Sequence, residues 1–88
     1  MSVTLAHCEG YRVLAADGFV GEVERPLFPP DGKEPDYLVV RVRRRVWGRV
    51  PVVSTALVFA IDPARGLIWV RGDRERVAGL PEHLPLAI

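Results

Sequence analysis

The chain has 88 residues, of which 49% are hydrophobic and 26% are charged, and its formal net charge is +1. This length suits one folded domain with a modest core, and the composition excludes a disordered chain. The small net charge gives no bulk electrostatic reason to bind nucleic acid or a membrane surface. We therefore expect a single domain over residues 1–88.

Cysteine usage and hydropathy limit the cofactors and the location. Cys8 is the single cysteine, so we expect neither an intramolecular disulfide nor a cysteine-based metal cluster. No apolar run approaches the ~20 residues that a membrane-spanning helix needs. The N-terminus also lacks the pattern of a secretory signal. These features predict a cytoplasmic protein with no membrane span, metal or cofactor.

Asn and Gln are absent from the chain, and there is one Met. A scarcity of thermolabile side chains together with many prolines is typical of a heat-adapted source. Codon bias toward Arg, Ala, Gly and Pro would give a similar composition, so both explanations stay open.

Residues 11–45 read as three consecutive antiparallel strands. Asp17 and Gly18 lie between two β-rich runs and predict a hairpin with a type I′ turn, in which both turn positions need φ > 0. Prolines stiffen the longer connection over 29–35, which predicts the second loop.

Charge and apolar patterns together predict one register for the second and third strands. Phe28 is expected opposite Tyr37, and opposite charges then meet on one face while apolar residues meet on the other. Arg25 interrupts the apolar face next to Pro26, which predicts a bulge or bend. The resulting pairs are Glu24 with Arg41, Glu22 with Arg43, Val23 with Val42 and Leu27 with Leu38.

Later segments supply further strands over 49–53, 57–62 and 67–71, with a turn over 63–66. The run 57–62 is apolar at both odd and even positions. It should therefore be buried on both sides or covered by a partner.

The C-terminal part predicts a short helix over 74–78. Asp73 suits its N-cap, and Gly79 and Pro81 suit its end. Short strands at about ten-residue spacing followed by a helical turn predict an all-β barrel or sandwich. The helical side chains expected to pack on the sheet are Val77 and Leu80.

In order along the chain, these stretches resemble the PRC-barrel family. That family is named for the photosynthetic reaction centre H subunit and is shared by the C-terminal half of the ribosome maturation factor RimM. The resemblance implies a small antiparallel β-barrel of five to six strands with a short C-terminal helix. It covers about residues 10–81, and the matching segments are 10–13, 17–18 with Gly21 and Val23, 37–40, 50–52, 62–70 and 77–81.

The resemblance also implies a non-catalytic adaptor that binds other proteins. In RimM the barrel accompanies an RNA-associated domain and docks on a ribosomal protein, and in the H subunit it accompanies a transmembrane helix. The sequence shows neither companion, so we expect a free-standing barrel that forms a homodimer and binds a further, unidentified protein. The alternative is an accessory factor that associates with RNA or a ribosomal protein.

Arginines flank a tryptophan in segment 41–49. We call this segment the basic tip. If it is a functional site, its arginines would bind phosphates and a base would stack on Trp47. As a purely structural feature, it is a solvated hairpin in which Glu24 and Glu22 neutralise two of the arginines. The charges left for a partner are few for a nucleic-acid site; they are those of Arg44, Arg45 and Arg49.

The aromatic residues offer a second candidate surface. Trp47, Trp69, Phe59 and Phe19 exceed what a small barrel needs to bury, and aromatic residues are enriched in interface cores. They therefore predict a dimerisation face. The alternative is that Trp69 and Phe59 fill the barrel.

We find no pattern of catalytic residues, and we expect that the protein is not an enzyme. His7 and Cys8 are adjacent, so an extended chain points them to opposite faces and neither can readily activate the other. His83 has no companions at metal-ligand spacing. The turn carboxylates should bond their own backbone; these are Asp17, Asp31 and Asp62.

Overall fold

The computed structural model describes residues 5–42 and 50–82, and within these ranges the chain forms six strands, a 3₁₀ turn and one helix. This confirms the predicted all-β, barrel-like class with a short C-terminal helix. The elements are β1 (Arg12–Ala15), β2 (Gly18–Leu27), β3 (Tyr37–Val42), β4 (Val52–Ser54), the 3₁₀ turn (Thr55–Leu57), β5 (Val58–Asp62), β6 (Leu67–Val70) and α1 (Arg74–Ala78).

The strands form one curled sheet in the order β4-β3-β2-β1-β6-β5, which makes a half-barrel. All neighbours are antiparallel except β1 and β6, which run parallel. The expectation of a wholly antiparallel barrel is therefore wrong. The reason is that β1 already pairs with β2 on one side, and the β5–β6 hairpin adds to its other side with β6 running in the direction of β1.

Alternate strand residues pack into a single core. Val13 and Ala15 of β1 and Ile68 and Val70 of β6 are buried, whereas the residues between them are more exposed. We call the side of the sheet that carries these buried residues the inner face and the opposite side the outer face. The helix residue Val77 joins the core cluster, as predicted.

The first hairpin forms as predicted, but its turn is not type I′. Ala15 pairs with Gly18, so the loop residues are Ala16 and Asp17. Gly18 has a φ of 133°, whereas no non-glycine residue in the described ranges has a positive φ. A type I′ turn would require a positive φ at Asp17, so the turn is of another type. The Asp17 side chain has a role in tertiary structure.

That role is to hold the start of α1. The Oδ1 atom of Asp17 accepts a hydrogen bond from the Arg74 backbone N–H at 2.7 Å. Asp73 caps the same helix as predicted, since its Oδ1 accepts from the Arg76 N–H at 2.8 Å. The Arg74 N–H is also the main reason why the pKa of Asp17 lies below its usual value. The Asp17 side chain therefore connects the first hairpin turn to the start of α1 through a hydrogen bond.

The predicted register between β2 and β3, with Phe28 opposite Tyr37, is wrong. The loop between these strands is one residue longer than expected, and a bulge at Glu24 adds a further residue to β2. A bulge or bend was predicted at Arg25, and the structure has the bulge one residue earlier. The observed partners are Leu27 with Tyr37, Pro26 with Leu38, Arg25 with Val39, Val23 with Val40, Glu22 with Arg41 and Gly21 with Val42.

The charge pairing of this ribbon is partly retained. Glu24 and Arg41 form an ion pair at 2.6 Å between Oε1 and Nη2, as predicted. The predicted partner of Glu22 is Arg43, which lies outside the described residues. The predicted apolar pairs that the structure replaces are Val23 with Val42 and Leu27 with Leu38.

We expect that Gly21→Ala will destabilise the fold by about 1–3 kcal/mol, the usual cost of overpacking. A Cβ at this position would overlap the Arg41 carbonyl group, so β2 and β3 would have to separate. Urea unfolding followed by circular dichroism measures the change. Glu24→Ala is the control and should cost less than about 1 kcal/mol, because it removes only an exposed ion pair. Equal unfolding midpoints for the two variants would contradict this account.

Asp17→Asn should lower the melting temperature most at neutral pH. Hydrogen bonds to the charged carboxylate lower the folded-state pKa of Asp17, so its stabilisation is fully present above the unfolded-state pKa. It is lost as the pH falls through the lowered folded-state value. The asparagine side chain of the variant retains an acceptor oxygen, so the substitution tests the effect of the negative charge alone. Thermal melts from about pH 7 to about pH 2.5 should show the variant converging on wild type.

Asp31→Asn serves as the control for this series, because Asp31 lies in an exposed loop. Its melting temperature should follow wild type at every pH. If the deficit of Asp17→Asn were the same at both ends of the pH range, the charge of Asp17 would not be the stabilising feature.

Candidate interaction surface

The structure describes two of the predicted partner-binding residues, Phe59 on β5 and Trp69 on β6. The others lie outside the described residues, and so does most of the basic tip to which they belong. These are Arg44, Arg45, Trp47 and Arg49.

Cross-strand register brings Trp69 into an apolar row that crosses four strands. Leu14 of β1 lies opposite Phe19 of β2 on one side and opposite Trp69 of β6 on the other. Trp69 in turn lies opposite Ala60 of β5. Directly opposed strand residues share a face of the sheet. Phe19, Leu14, Trp69 and Ala60 therefore form one continuous line, which we call the apolar row.

The apolar row lies on the outer face. None of its members belongs to the core cluster of the described residues. Phe19 is 40% exposed, and Leu14, Trp69 and Ala60 are half-buried. Phe59 is the extra residue of a bulge between Val58 and Ala60, so it sits beside the row and is 58% exposed.

Burial of residues 57–62 on both sides was one of two expectations for this run, and the described structure contradicts it, because none of these six residues is buried. β5 is an edge strand of the described sheet. Val58 and Ile61 pack against the core, whereas Phe59 faces solvent. The other expectation, that a partner covers this strand, stays a prediction.

Charged residues flank the apolar row. On one side, register aligns three charged residues and one leucine across the same strands, in the order Glu22, Arg12, Leu67 and Asp62. On the other side, exposed Arg71 follows β6, and its backbone N–H donates to the carbonyl of Leu57, the last residue of the 3₁₀ turn before β5, at 2.9 Å. The surface thus has the apolar centre and polar rim that are typical of interfaces.

Sequence reasoning named Phe59, Trp69 and Phe19 by residue type but missed Leu14 and Ala60 as members of this surface. The strand alternation of β1 could have placed Leu14 on the face opposite Val13. No local signal places Leu14 beside Trp69, because that contact depends on the parallel pairing of β1 with β6.

The described residues that could react covalently or bind a metal have contacts that indicate structural roles. Cys8 is fully buried, and desolvation raises its pKa to about 11. The Oδ1 atom of Asp62 accepts from the Arg65 N–H at 3.2 Å, so it bonds its own turn as predicted. Across residues 5–42 and 50–82, no group of three or more His, Cys, Asp or Glu side chains is arranged to hold a metal ion. In the same ranges, no helix has the length and hydropathy to cross a bilayer.

Comparison with protein-family models and with curated proteins gave no match to this chain.

Cys8 should be unreactive in the folded protein. Its thiol has no access to solvent, and a pKa of about 11 leaves about one part in a thousand as thiolate near pH 8. A chromogenic disulfide reagent should therefore react only after denaturation. Ala64→Cys provides the control, because its added thiol would lie in the exposed turn before β6 and should react promptly. Prompt reaction of the wild-type protein under native conditions would contradict the placement of Cys8 in the core.

Proposed function

We propose that this chain is a non-catalytic protein-interaction module that forms a homodimer through its outer face. The observation that carries the proposal is the apolar row, which crosses four strands outside the core and ends beside exposed Phe59. Contiguous apolar surface of this kind marks interaction sites on soluble domains. The all-β class agrees with the PRC-barrel resemblance, and the adaptor role of that family supports the same proposal.

The exposed area sets the expected strength of the dimer. Given their exposures of 40% and 58%, Phe19 and Phe59 together present about 200 Å² of aromatic surface. A standard interface buries about 800 Å² on each partner, so the charged flanks of the row must also take part. We expect micromolar affinity, because affinity depends on a few well-packed aromatic anchors and this surface supplies two strongly exposed ones.

The test is light scattering coupled to size-exclusion chromatography over a range of micromolar concentrations. Wild type should approach twice 9.8 kDa as the concentration rises. Phe59→Ser and Phe19→Ser should each weaken the dimer about tenfold or more, the effect of losing an aromatic anchor worth about 1–2 kcal/mol. Phe28→Ser is the matched control and should leave the dimer intact. Phe28 is 44% exposed but follows the opposite end of β2 from Phe19.

A wild-type monomer at all concentrations would overturn the proposal, as would equal weakening by Phe28→Ser. A monomer whose salt-sensitive RNA binding is lost on replacing Arg44, Arg45 and Arg49 with Glu would instead support the RNA-associated alternative.

A further inference from the structure

The described sheet is open, so it has two edge strands. Its order ends with β4 on one side and β5 on the other. An edge strand presents backbone N–H and C=O groups that can accept a strand from another molecule, and charged side chains on the edge oppose this. The segment 50–54, which contains β4, carries no charged residue. Protection of this edge therefore depends on another part of the chain.

Backbone directions show which groups of this segment lie on its free side. Alternate residues of an antiparallel strand turn their N–H and C=O groups toward and away from the neighbouring strand. The Pro51 carbonyl accepts from the Val40 N–H at 3.0 Å, so it points toward β3. Val50 and Val52 therefore direct their N–H groups away from β3. For the same reason, the missing N–H of Pro51 does not protect the free side.

Residues 81–82 occupy both of these outward N–H groups, and we call them the edge cover. The Val52 N–H donates to the Pro81 carbonyl at 2.8 Å, and the Val50 N–H donates to Glu82 Oε1 at 3.0 Å. Pro81 has no N–H, and the Glu82 contact uses a side chain. The edge cover thus satisfies the free side of β4 without forming a strand itself. Its carboxylate also places a charge at this edge.

The edge cover follows directly on α1, which holds it in place. Val77 of the helix is buried in the core, and Leu80 packs against the same cluster. Pro81 and Glu82 are themselves exposed. Removal of the edge cover from β4 therefore leaves the core side chains in place.

The other edge is protected within its own strand. Phe59 forms a bulge in β5, which bends the strand and interrupts its alternation. The Val58 N–H donates to the Thr55 carbonyl of the preceding 3₁₀ turn. These features do not depend on a separate segment, so β4 is the edge that can be opened.

We propose that the edge cover keeps β4 from pairing with β4 of a second copy, and that β4 pairs in this way when the cover is displaced. Two identical strands form an antiparallel pair about a two-fold axis. Because segment 50–54 is uncharged, such a pair places no like charges in opposition. The contact is distinct from the proposed outer-face homodimer. We expect it to have millimolar affinity, because β4 has only three residues and the pair buries little area.

Replacing the cover residues in the full chain tests this proposal. The variant is Pro81→Gly with Glu82→Gly, made in a Phe59→Ser background so that association through the outer face does not contribute. Loss of the carboxylate and of the proline ring should free the Val50 and Val52 amides. At low protein concentration, NMR should show about tenfold faster hydrogen exchange at both. At millimolar concentration, light scattering should show a mass rising from 9.8 kDa toward twice that value, and the Val52 amide should become protected again as the second strand binds.

The matched control is Pro30→Gly with Asp31→Gly in the same background, which removes the same kinds of side chain from an exposed loop. It should leave the mass and the exchange of Val50 and Val52 unchanged. Unchanged exchange at these amides in the cover variant would overturn the edge cover, and faster exchange with a monomer at millimolar concentration would overturn the pairing. Failure of the outer-face homodimer affects neither result, because the Phe59→Ser background already removes that contact.

Discussion

The parallel pairing of β1 with β6 is the contact on which the rest of the structure depends. It joins the β5–β6 hairpin to the remaining strands, and it begins where the Arg12 N–H donates to the Gly66 carbonyl at 2.8 Å. On the inner face it sets Val13 beside Ile68 in the core, and on the outer face it sets Leu14 beside Trp69. This strand pair therefore connects the two parts of the core and the two parts of the apolar row.

Features set by neighbours along the chain were predictable. The first hairpin, the turn before β6 and the Asp73 cap follow from residue types within a few positions of one another. The turn type, the register of β2 and the role of Asp17 were not predictable in this way. Each depends on a contact between distant segments, such as the bond from the Arg74 N–H to Asp17.

The same distinction applies to the candidate surface. Residue type was enough to select Phe59 and Trp69, because aromatic residues in excess of the core suggest an interface. Residue type could not show that Leu14 and Ala60 extend this surface, since their position follows from register across β1, β6 and β5. Residue type thus selected aromatic members of the proposed surface, and the strand topology shows how they are connected.

Part of the apolar row also stabilises the monomer. Opposed apolar and aromatic residues on neighbouring strands, such as Leu14 and Trp69, contribute roughly 0.2–1 kcal/mol per pair to a sheet. Their presence on the outer face therefore has an explanation that needs no partner. Phe59 differs, because the bulge leaves it without an opposed residue in the ladder and it is the most exposed of the large apolar side chains described. It gains little from the fold of a single copy, so its exposure is the feature that the proposed homodimer would explain best.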